Sequence, residues 1–151
     1  MNTSIEEQLR ENGIVVSTTV GVSMKPMLRN RRDRVVLCAV GEERLNKFDL
    51  PIYRRPDGKY VLHRIIGVRE DHYVIRGDNT YKKEYVPHGW VIGYVTEFYR
   101  NGKRVSAESR GYRFYASAWN KLYFLRLPVH GVRVLLGRIK RKLLKKAAVE
   151  E

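Results

Sequence analysis

The sequence predicts a mainly β fold, a coiled antiparallel sheet or barrel-like domain with a short N-terminal helix and a basic helical C-terminal segment. Three observations lead to this fold class. Short runs rich in β-branched and aromatic residues alternate with turn residues between about residues 14 and 99. Few stretches in that region have the spacing of a helix. From Val132 onward, apolar residues recur at helical spacing while lysine and arginine fill the remaining positions.

The first predicted element is a short helix. Ser4 and Glu7 have the spacing of a capping box, in which each side chain accepts a hydrogen bond from the backbone N–H of the other residue. Gly13 is suited to end this helix after about Asn12, because glycine adopts the left-handed conformation of a C-cap. The run 14–20, rich in valine and threonine, then predicts the first strand.

Further short strands follow, each bounded by turn residues. Pro51 marks either the start of a strand or an edge, because proline cannot donate a ladder hydrogen bond. The Pro-Asp-Gly-Lys segment 56–59 predicts a tight turn, and 77–79 predicts a break. The strands predicted after the first are 34–40, 50–55, 60–68, 73–76 and 90–95.

The positive charge is concentrated in the last third of the chain. The 151 residues carry 30 Lys+Arg against 16 Asp+Glu, a net charge of +14, and segment 101–151 alone holds 13 against 3. We therefore divide the chain into a β-domain over 1–100 and a basic, aromatic-rich helical segment over 101–151. Such basicity points to an anionic partner for that segment, either a membrane surface or nucleic acid.

Length and hydropathy limit the class of protein. The chain is long enough for one domain of ordinary size. It contains no run of about 18 uncharged apolar residues, so we expect no transmembrane helix. Its first residues are polar and acidic, unlike a secretory signal. We expect a cytoplasmic location, with peripheral association at a membrane surface as an extension.

Two residues are candidates for serine hydrolysis, which needs a nucleophilic hydroxyl, a base and donors for the developing oxyanion. Ser23 follows a glycine-containing turn, where it could equally be a polar turn residue. His63 lies in an apolar strand, where it is either a hydrogen-bonded core residue or a placed base. The other histidines, His72, His88 and His130, have no metal-site spacing, and we expect neither a metal nor a cofactor.

Several short motifs in the order of the chain carry a resemblance to one family. They are Ser23-Met24-Lys25-Pro26, Arg32-Asp33-Arg34-Val35-Val36, Lys47-Phe48-Asp49 with Arg54-Arg55-Pro56, Leu62-His63-Arg64-Ile65-Ile66-Gly67, and Arg76-Gly77-Asp78-Asn79. Taken together over about residues 18–97, these motifs resemble the signal peptidase I superfamily, which also contains LexA-like self-cleaving repressors. The resemblance implies a serine peptidase and does not extend to the C-terminal segment.

The resemblance implies that Ser23 is the nucleophile and His63 its general base. Typical bacterial signal peptidases and LexA-like proteins have lysine at the base position. The endoplasmic-reticulum, archaeal and sporulation-type branch has histidine followed by arginine, as in His63-Arg64. Histidine can replace lysine as the base for a chemical reason. Lysine must be strongly desolvated to act as a base near neutral pH, whereas histidine titrates close to that range. Lys25 is then only a loop charge.

Two carboxylates are candidates to support the base, and the sequence does not choose between them. Asp78 belongs to the Gly-Asp-Asn motif, although an aspartate there could simply cap backbone N–H groups of the turn. Glu84 stands near the position of an acid in the histidine branch, although it could be a solvated charge beside two lysines. An acid in contact with His63 would fix its orientation and stabilise the imidazolium.

The oxyanion hole is expected to use the backbone N–H of Ser23 or a neighbour. Some relatives add a side-chain hydroxyl two positions earlier, where this chain has Gly21. The loss of one such donor costs about 3 kcal/mol of transition-state stabilisation where nothing replaces it. Gly21 therefore indicates either a backbone-only hole or a weakened enzyme.

The resemblance also implies the substrate, an extended peptide cut after a small residue while it lies along a strand edge. The precursor is either a secretory one or a dedicated small peptide. We expect Met24, Pro26 and Arg64 to contact it.

Two other functions stay open. A peptide-binding module of the same fold that lost efficient chemistry is the first, and a LexA-like regulator without its DNA-binding domain is the second. We do not expect nucleic acid as a partner, because no helix pair precedes the β-domain. The oligomeric state is not decided by the sequence.

The basic segment has two interpretations. Signal peptidases of this family are usually held by transmembrane helices, and a basic amphipathic helix preceded by Trp119, Tyr123 and Phe124 has the composition of an interfacial anchor that could replace them. Alternatively, the apolar face of that helix packs on the β-domain and its charges are solvated.

Overall fold

A computed structural model describes residues 4–125 of the chain and confirms the mainly β fold. A strongly curled antiparallel sheet forms a half-barrel, accompanied by a short N-terminal helix and a helix near the end of the described region. Two compact units divide the chain between Ser117 and Ala118. The predicted basic helix from Val132 lies outside the described residues.

Within residues 4–125, the first unit contains nearly all of the regular structure. Its elements in chain order, with the second helix running into the second unit, are α1 (Ile5–Asn12), β1 (Ile14–Thr18), β2 (Arg34–Ala39), β3 (Pro51–Arg54), β4 (Tyr60–Leu62), β5 (Arg64–Val68), β6 (His72–Arg76), β7 (Glu84–Pro87), a 3-10 helix (His88–Trp90), β8 (Val91–Arg100), β9 (Lys103–Ser106) and α2 (Arg110–Lys121).

Two antiparallel sheets organise these strands. The larger sheet has the order β1-β2-β8-β3-β4, with β9 added beside β8, and the smaller has the order β5-β6-β7. In the larger sheet β1 pairs only with β2, and β4 pairs only with β3. Both strands therefore keep one edge without a ladder partner in the described part of the chain.

The prediction of one continuous strand over 60–68 is wrong. The structure divides it into β4, which pairs with β3, and β5, which pairs with β6 in the other sheet. His63 is the residue between them. The apolar pattern runs through the break, because both halves are partly buried, and only the change of pairing partner separates them. This break gives His63 a position outside both ladders.

Other differences from the predicted strands have similar causes. β7 and β9 were not predicted, because they are short and rich in charged or polar residues. Each forms along the free side of a longer strand, β6 and β8 respectively. β8 also runs on to Arg100 rather than ending at 95.

The compact unit extends past the predicted boundary at residue 100. The side chains of Tyr112 and Ala116 in α2 are buried in the same cluster as Phe98. The described part of the second unit, 118–125, completes α2 and exposes Leu122, Phe124 and Leu125. β9 and the first part of α2 thus belong with the strands that precede them.

Helix α1 forms as the sequence predicts. The Ser4 hydroxyl accepts a hydrogen bond from Glu7 N–H (3.1 Å), the Glu7 carboxylate accepts one from Ser4 N–H (2.8 Å), and Gly13 has a φ of 71°. The helix packs on the sheet where β8 carries a glycine. A Cβ at Gly93 would lie 2.6 Å from the Cys38 carbonyl oxygen and 2.9 Å from Leu9 Cδ1.

We expect Gly93→Ala to lower the free energy of unfolding by about 2 to 3 kcal/mol, because the added methyl overlaps a backbone atom that cannot move freely. Gly89→Ala is the matched control, since a Cβ there meets nothing within 4 Å. Urea denaturation of both variants tests this. Equal stability of the two would show that the Cys38 carbonyl of β2 does not approach Gly93 as closely as described.

Candidate active site

A cleft of about 530 Å³ opens on the concave side of the larger sheet. Inward-facing apolar side chains of β2 and β3 form its floor, namely Val35, Leu37 and Ile52. The edge strand β1 contributes Ser17 and Thr18, and the edge strand β4 contributes Tyr60, Val61 and Leu62. Polar residues gather where these two strands end, namely Ser23, Arg55, His63, Thr80, Lys82 and Glu84.

Ser23 lies in the loop between β1 and β2. Gly21 has a φ of 99°, which favours glycine, and its N–H donates to Asn30 Oδ1 at 2.9 Å. The N–H of Leu28 donates to the Met24 carbonyl at 3.0 Å, which closes the following turn. Met24 is buried and lines the cleft, whereas Ser23 is half-buried on its wall. The loop thus contributes two hydroxyl-bearing residues to the cleft lining, Thr19 and Ser23, and the Thr19 hydroxyl is engaged by the carbonyls of Arg29 and Asp33.

His63 enters the cleft from the break between β4 and β5. The side chain is 6% exposed, so its orientation is set by protein contacts. Its Nδ1 lies 3.2 Å from Glu84 Oε1 and 3.4 Å from the Tyr53 hydroxyl. Its Nε2 lies 3.0 Å from the position that a Cβ on Gly77 would occupy. One ring nitrogen therefore faces an acid, and the other faces the Gly-Asp-Asn turn.

Gly77 lies between the Ser23 loop and His63. A Cβ there would lie 2.8 Å from the Ser23 carbonyl oxygen and 3.0 Å from His63 Nε2, which places these two atoms within about 6 Å of each other. Within residues 4–125, the hydrogen bonds of His63 do not include one to Ser23. Catalytic hydrogen bonds are commonly long before substrate binds.

Glu84 is the acid that the structure brings to the histidine. It is the first residue of β7, and Arg55 fixes its carboxylate with two hydrogen bonds, from Nε to Oε2 (2.9 Å) and from Nη2 to Oε1 (2.6 Å). Burial would raise the pKa of Glu84, but the hydrogen bonds from Arg55 and the charges of His63 and Arg55 lower it. Glu84 is therefore ionised at neutral pH.

The environment of His63 favours the neutral imidazole. Burial lowers the pKa of His63 below its ordinary value, and the nearby charge of Arg55 acts in the same direction. The carboxylate of Glu84 opposes this shift. Burial and the charge of Glu84 raise the pKa of Tyr53, which keeps its hydroxyl protonated. A neutral imidazole can accept a proton at once, as a general base must.

Asp78 lies in a buried ion pair rather than against the Nδ1 atom of His63. Its two carboxylate oxygens accept from Arg64 Nε and Nη2, both at 2.7 Å. Arg64 also donates to the Tyr112 hydroxyl at 2.7 Å, and these bonds raise its pKa against the effect of burial. The charge of Asp78 raises the pKa of the imidazole of His63, and this is the last of the causes of the shift in order of size.

The structure places the three expected substrate contacts differently. Met24 lines the cleft, as expected of a residue that contacts substrate. Arg64 does not reach the cleft, because its side chain is 1% exposed and its guanidinium is engaged by Asp78 and Tyr112. Pro26 is exposed and lies off the cleft lining.

The Gly-Asp-Asn turn forms hydrogen bonds with the loop that carries Ser23. The N–H of Asn79 donates to the Ser23 carbonyl at 2.7 Å, and its side-chain amide donates to the Val22 carbonyl at 3.1 Å. Asp78 in the same turn binds Arg64, the neighbour of His63. A continuous set of contacts therefore connects the backbone of the hydroxyl residue to the backbone of the histidine.

The sequence analysis did not assign some of the residues at the site a role there. Tyr53 and Arg55 lie in a strand and its end, where nothing marks them as partners of a residue at position 84. Thr80 was also not anticipated, yet its hydroxyl lies 3.0 Å from the same Cβ position on Gly77 and lines the cleft. Spacing along the chain cannot reveal such partners, because they come from different strands.

Comparison with models of known protein families finds no match to this chain, and comparison with curated proteins finds no significant relative. The side chains of residues 4–125 form no group of three or more His, Cys, Asp or Glu that could hold a metal ion. No helix in that same region is long and apolar enough to span a membrane.

We expect Asp78→Asn to lower the free energy of unfolding by about 3 to 5 kcal/mol, because it leaves the buried charge of Arg64 uncompensated. Asp57→Asn is the matched control, since Asp57 is exposed in a turn and should change stability little. Thermal and urea denaturation of the two variants measure the difference. A small effect at Asp78 would mean that the ion pair does not organise the site.

Proposed function

We propose that this chain is a serine endopeptidase in which Ser23 is the nucleophile, His63 the general base and Glu84 the acid that supports the base. One observation carries the proposal. Ser23 and His63 line one cleft, and the Ser23 carbonyl oxygen lies within about 6 Å of His63 Nε2 across Gly77, while the other nitrogen of the imidazole faces an ionised carboxylate. The resemblance of the surrounding motifs to the signal peptidase I superfamily supports the same assignment.

The chemistry proceeds through an acyl-enzyme. His63 Nε2 accepts the proton of the Ser23 hydroxyl as Oγ attacks the scissile carbonyl carbon, and the carboxylate of Glu84 stabilises the imidazolium. The imidazolium then gives its proton to the leaving amine as the C–N bond breaks. A water molecule, deprotonated by His63, attacks the ester and releases the acid product with regeneration of the Ser23 hydroxyl. The backbone N–H of Ser23 is the donor for the oxyanion.

The substrate in this proposal is an extended segment of a peptide or protein precursor. β1 and β4 each have a free edge beside the cleft, so a peptide can add main-chain hydrogen bonds to either strand. Buried apolar side chains such as Met24 and Leu28 line the same cleft as Ser23. The family resemblance supports a small residue before the scissile bond. Peripheral membrane association is part of the proposal, supported by exposed Leu122, Phe124 and Leu125 in the second unit.

A catalytically weak peptide-binding module is the second candidate. Gly21 provides no side-chain donor for the oxyanion, and no hydrogen bond joins Ser23 to His63 within residues 4–125. Such a module would bind peptide in the same cleft without turnover. Covalent labelling of the serine separates the two candidates.

We expect a fluorophosphonate probe to modify Ser23, and His63→Gln to slow labelling about 10³-fold or more, because the hydroxyl is a weak nucleophile without its base. Ser23→Ala should abolish labelling. Ser17→Ala is the matched control, since Ser17 lines the same cleft and should be dispensable. Intact-mass and peptide mass spectrometry locate the adduct. Labelling that survives Ser23→Ala removes the proposed mechanism.

The pH dependence of labelling should report the state of His63. The rate should rise with pH as the imidazole loses its proton, with a midpoint below about 6.5, the ordinary pKa of histidine, because burial lowers this pKa. Glu84→Gln removes the charge that opposes the shift, so the midpoint should move to lower pH. The plateau rate should fall by about 10² to 10⁴, since the imidazolium loses its support.

Glu70→Gln, which changes an exposed glutamate, is the control for this profile. Rates of probe labelling between pH 4.5 and about 8.5, a range that brackets the ordinary histidine pKa, give both curves. A midpoint that moves upward in Glu84→Gln contradicts the role given to this carboxylate.

A further inference from the structure

Helix α1 crosses the end of the gap between the two free strand edges. β1 begins at Ile14, directly after the C-cap of α1 at Gly13. β4 begins at Tyr60, whose hydroxyl donates to Glu6 Oε2 in the first turn of α1 at 3.3 Å. The carboxylate of Glu6 also lies 3.5 Å from Arg54 Nη1 at the end of β3. One end of the helix therefore contacts the β3–β4 side of the gap, and the other end connects to β1.

Both edge strands run from this helix toward the catalytic residues. β1 leads into the loop that carries Ser23, and β4 ends at the residue before His63. The catalytic residues and α1 thus lie at opposite ends of one gap. Ile5 of α1 lines the same cleft as Ser23 and His63, so the helix and these residues border one cavity.

The helix is fixed in this position by several independent contacts. The capping box at Ser4 and Glu7 fixes the first turn, and Leu9 is buried against Gly93. The N–H of Ala39 donates to the Gly13 carbonyl at 2.9 Å, which attaches the C-terminal end to β2. The end of the gap is therefore closed by a packed element, not by a loop.

The dimensions of the gap set the length of peptide that it accepts. The three residues of β4 span about 10 Å at the usual rise of a strand. The eight residues of α1 are about 12 Å long. One strand inserted between two others needs about 10 Å, twice the usual spacing between strands. A helix of this length can bridge a gap wide enough for a single strand, about three residues long.

We infer that α1 is the end wall of the substrate cleft and that Ile5 limits the bound part of the substrate to about three residues before the scissile bond. This inference rests on the proposed function, which determines which half of the substrate lies between Ser23 and α1. The part of the substrate before the scissile bond forms the acyl-enzyme and stays bonded to Ser23 after the leaving peptide has departed. We therefore place this part in the closed cleft. Residues further from the bond lie beyond α1 and add no contact within the cleft.

Acetylated peptidyl-aminomethylcoumarins with one to six alanines test the inference on the full chain. The value of kcat/KM should rise about fivefold or more with each alanine up to the third, as main-chain hydrogen bonds and apolar contacts are added. From the fourth to the sixth alanine it should change less than about twofold, because no further contact forms. A rise that continues through the sixth alanine overturns the end wall.

Ile5→Trp tests the wall itself, because the larger side chain fills the closed end of the cleft. The rise in kcat/KM should then stop at the second alanine, while compounds with one or two alanines keep their wild-type values. Ile14→Trp is the matched control, since Ile14 is 52% exposed and does not line the cleft. Far-ultraviolet circular dichroism confirms that both variants fold. If Ile5→Trp behaves like Ile14→Trp, Ile5 does not limit the substrate.

Binding to the Ser23→Ala chain separates this inference from the proposed chemistry. Fluorescence anisotropy of the same coumarin compounds measures their affinities without turnover. Affinity that rises to the third alanine and then levels supports the end wall, even where the wild type fails to hydrolyse any compound and the proposed function falls. If the wild type hydrolyses the compounds but their affinity keeps rising through the sixth alanine, only the end-wall inference is overturned. Absence of both binding and hydrolysis for every compound overturns both.

Discussion

The ion pair between Arg64 and Asp78 is the interaction on which the arrangement of the site depends. Both side chains are almost fully buried, and two hydrogen bonds of 2.7 Å join them. A buried charge is tolerated only when it is paired and hydrogen-bonded, so neither residue can move without the other. Arg64 follows His63 in the chain, and Asp78 precedes Asn79, which binds the Ser23 loop. The pair therefore links the backbone at His63 to the Ser23 loop without entering the cleft.

A second set of charges adjusts the histidine itself. Burial favours neutral His63, whereas Glu84 at 3.2 Å favours the protonated ring. Arg55 donates hydrogen bonds to both oxygens of the Glu84 carboxylate. The negative charge of Glu84 therefore interacts with the guanidinium of Arg55 as well as with the imidazole of His63. The two ion pairs thus have separate tasks, since one positions the backbone and the other sets the proton affinity of the base.

The curled sheet provides the space in which these groups act. Curling leaves the edges of β1 and β4 on either side of an apolar floor, and α1 closes the far end. The break between β4 and β5 serves both purposes, because it ends the edge strand and turns His63 into the cleft. The position of His63 and the end of the free edge of β4 are therefore consequences of one change of strand partner.

The sequence by itself determined the local features of this protein. The capping box of α1, most of the strands, and the motifs that contain Ser23, His63 and Asp78 follow from side-chain chemistry and spacing between near neighbours. It could not separate β4 from β5, choose Glu84 over Asp78, or show that Arg64 is buried. Those outcomes were decided by tertiary structure, because pairing partners such as Arg55 and Glu84 are brought together from distant strands and their energy depends on burial that no short stretch of sequence records.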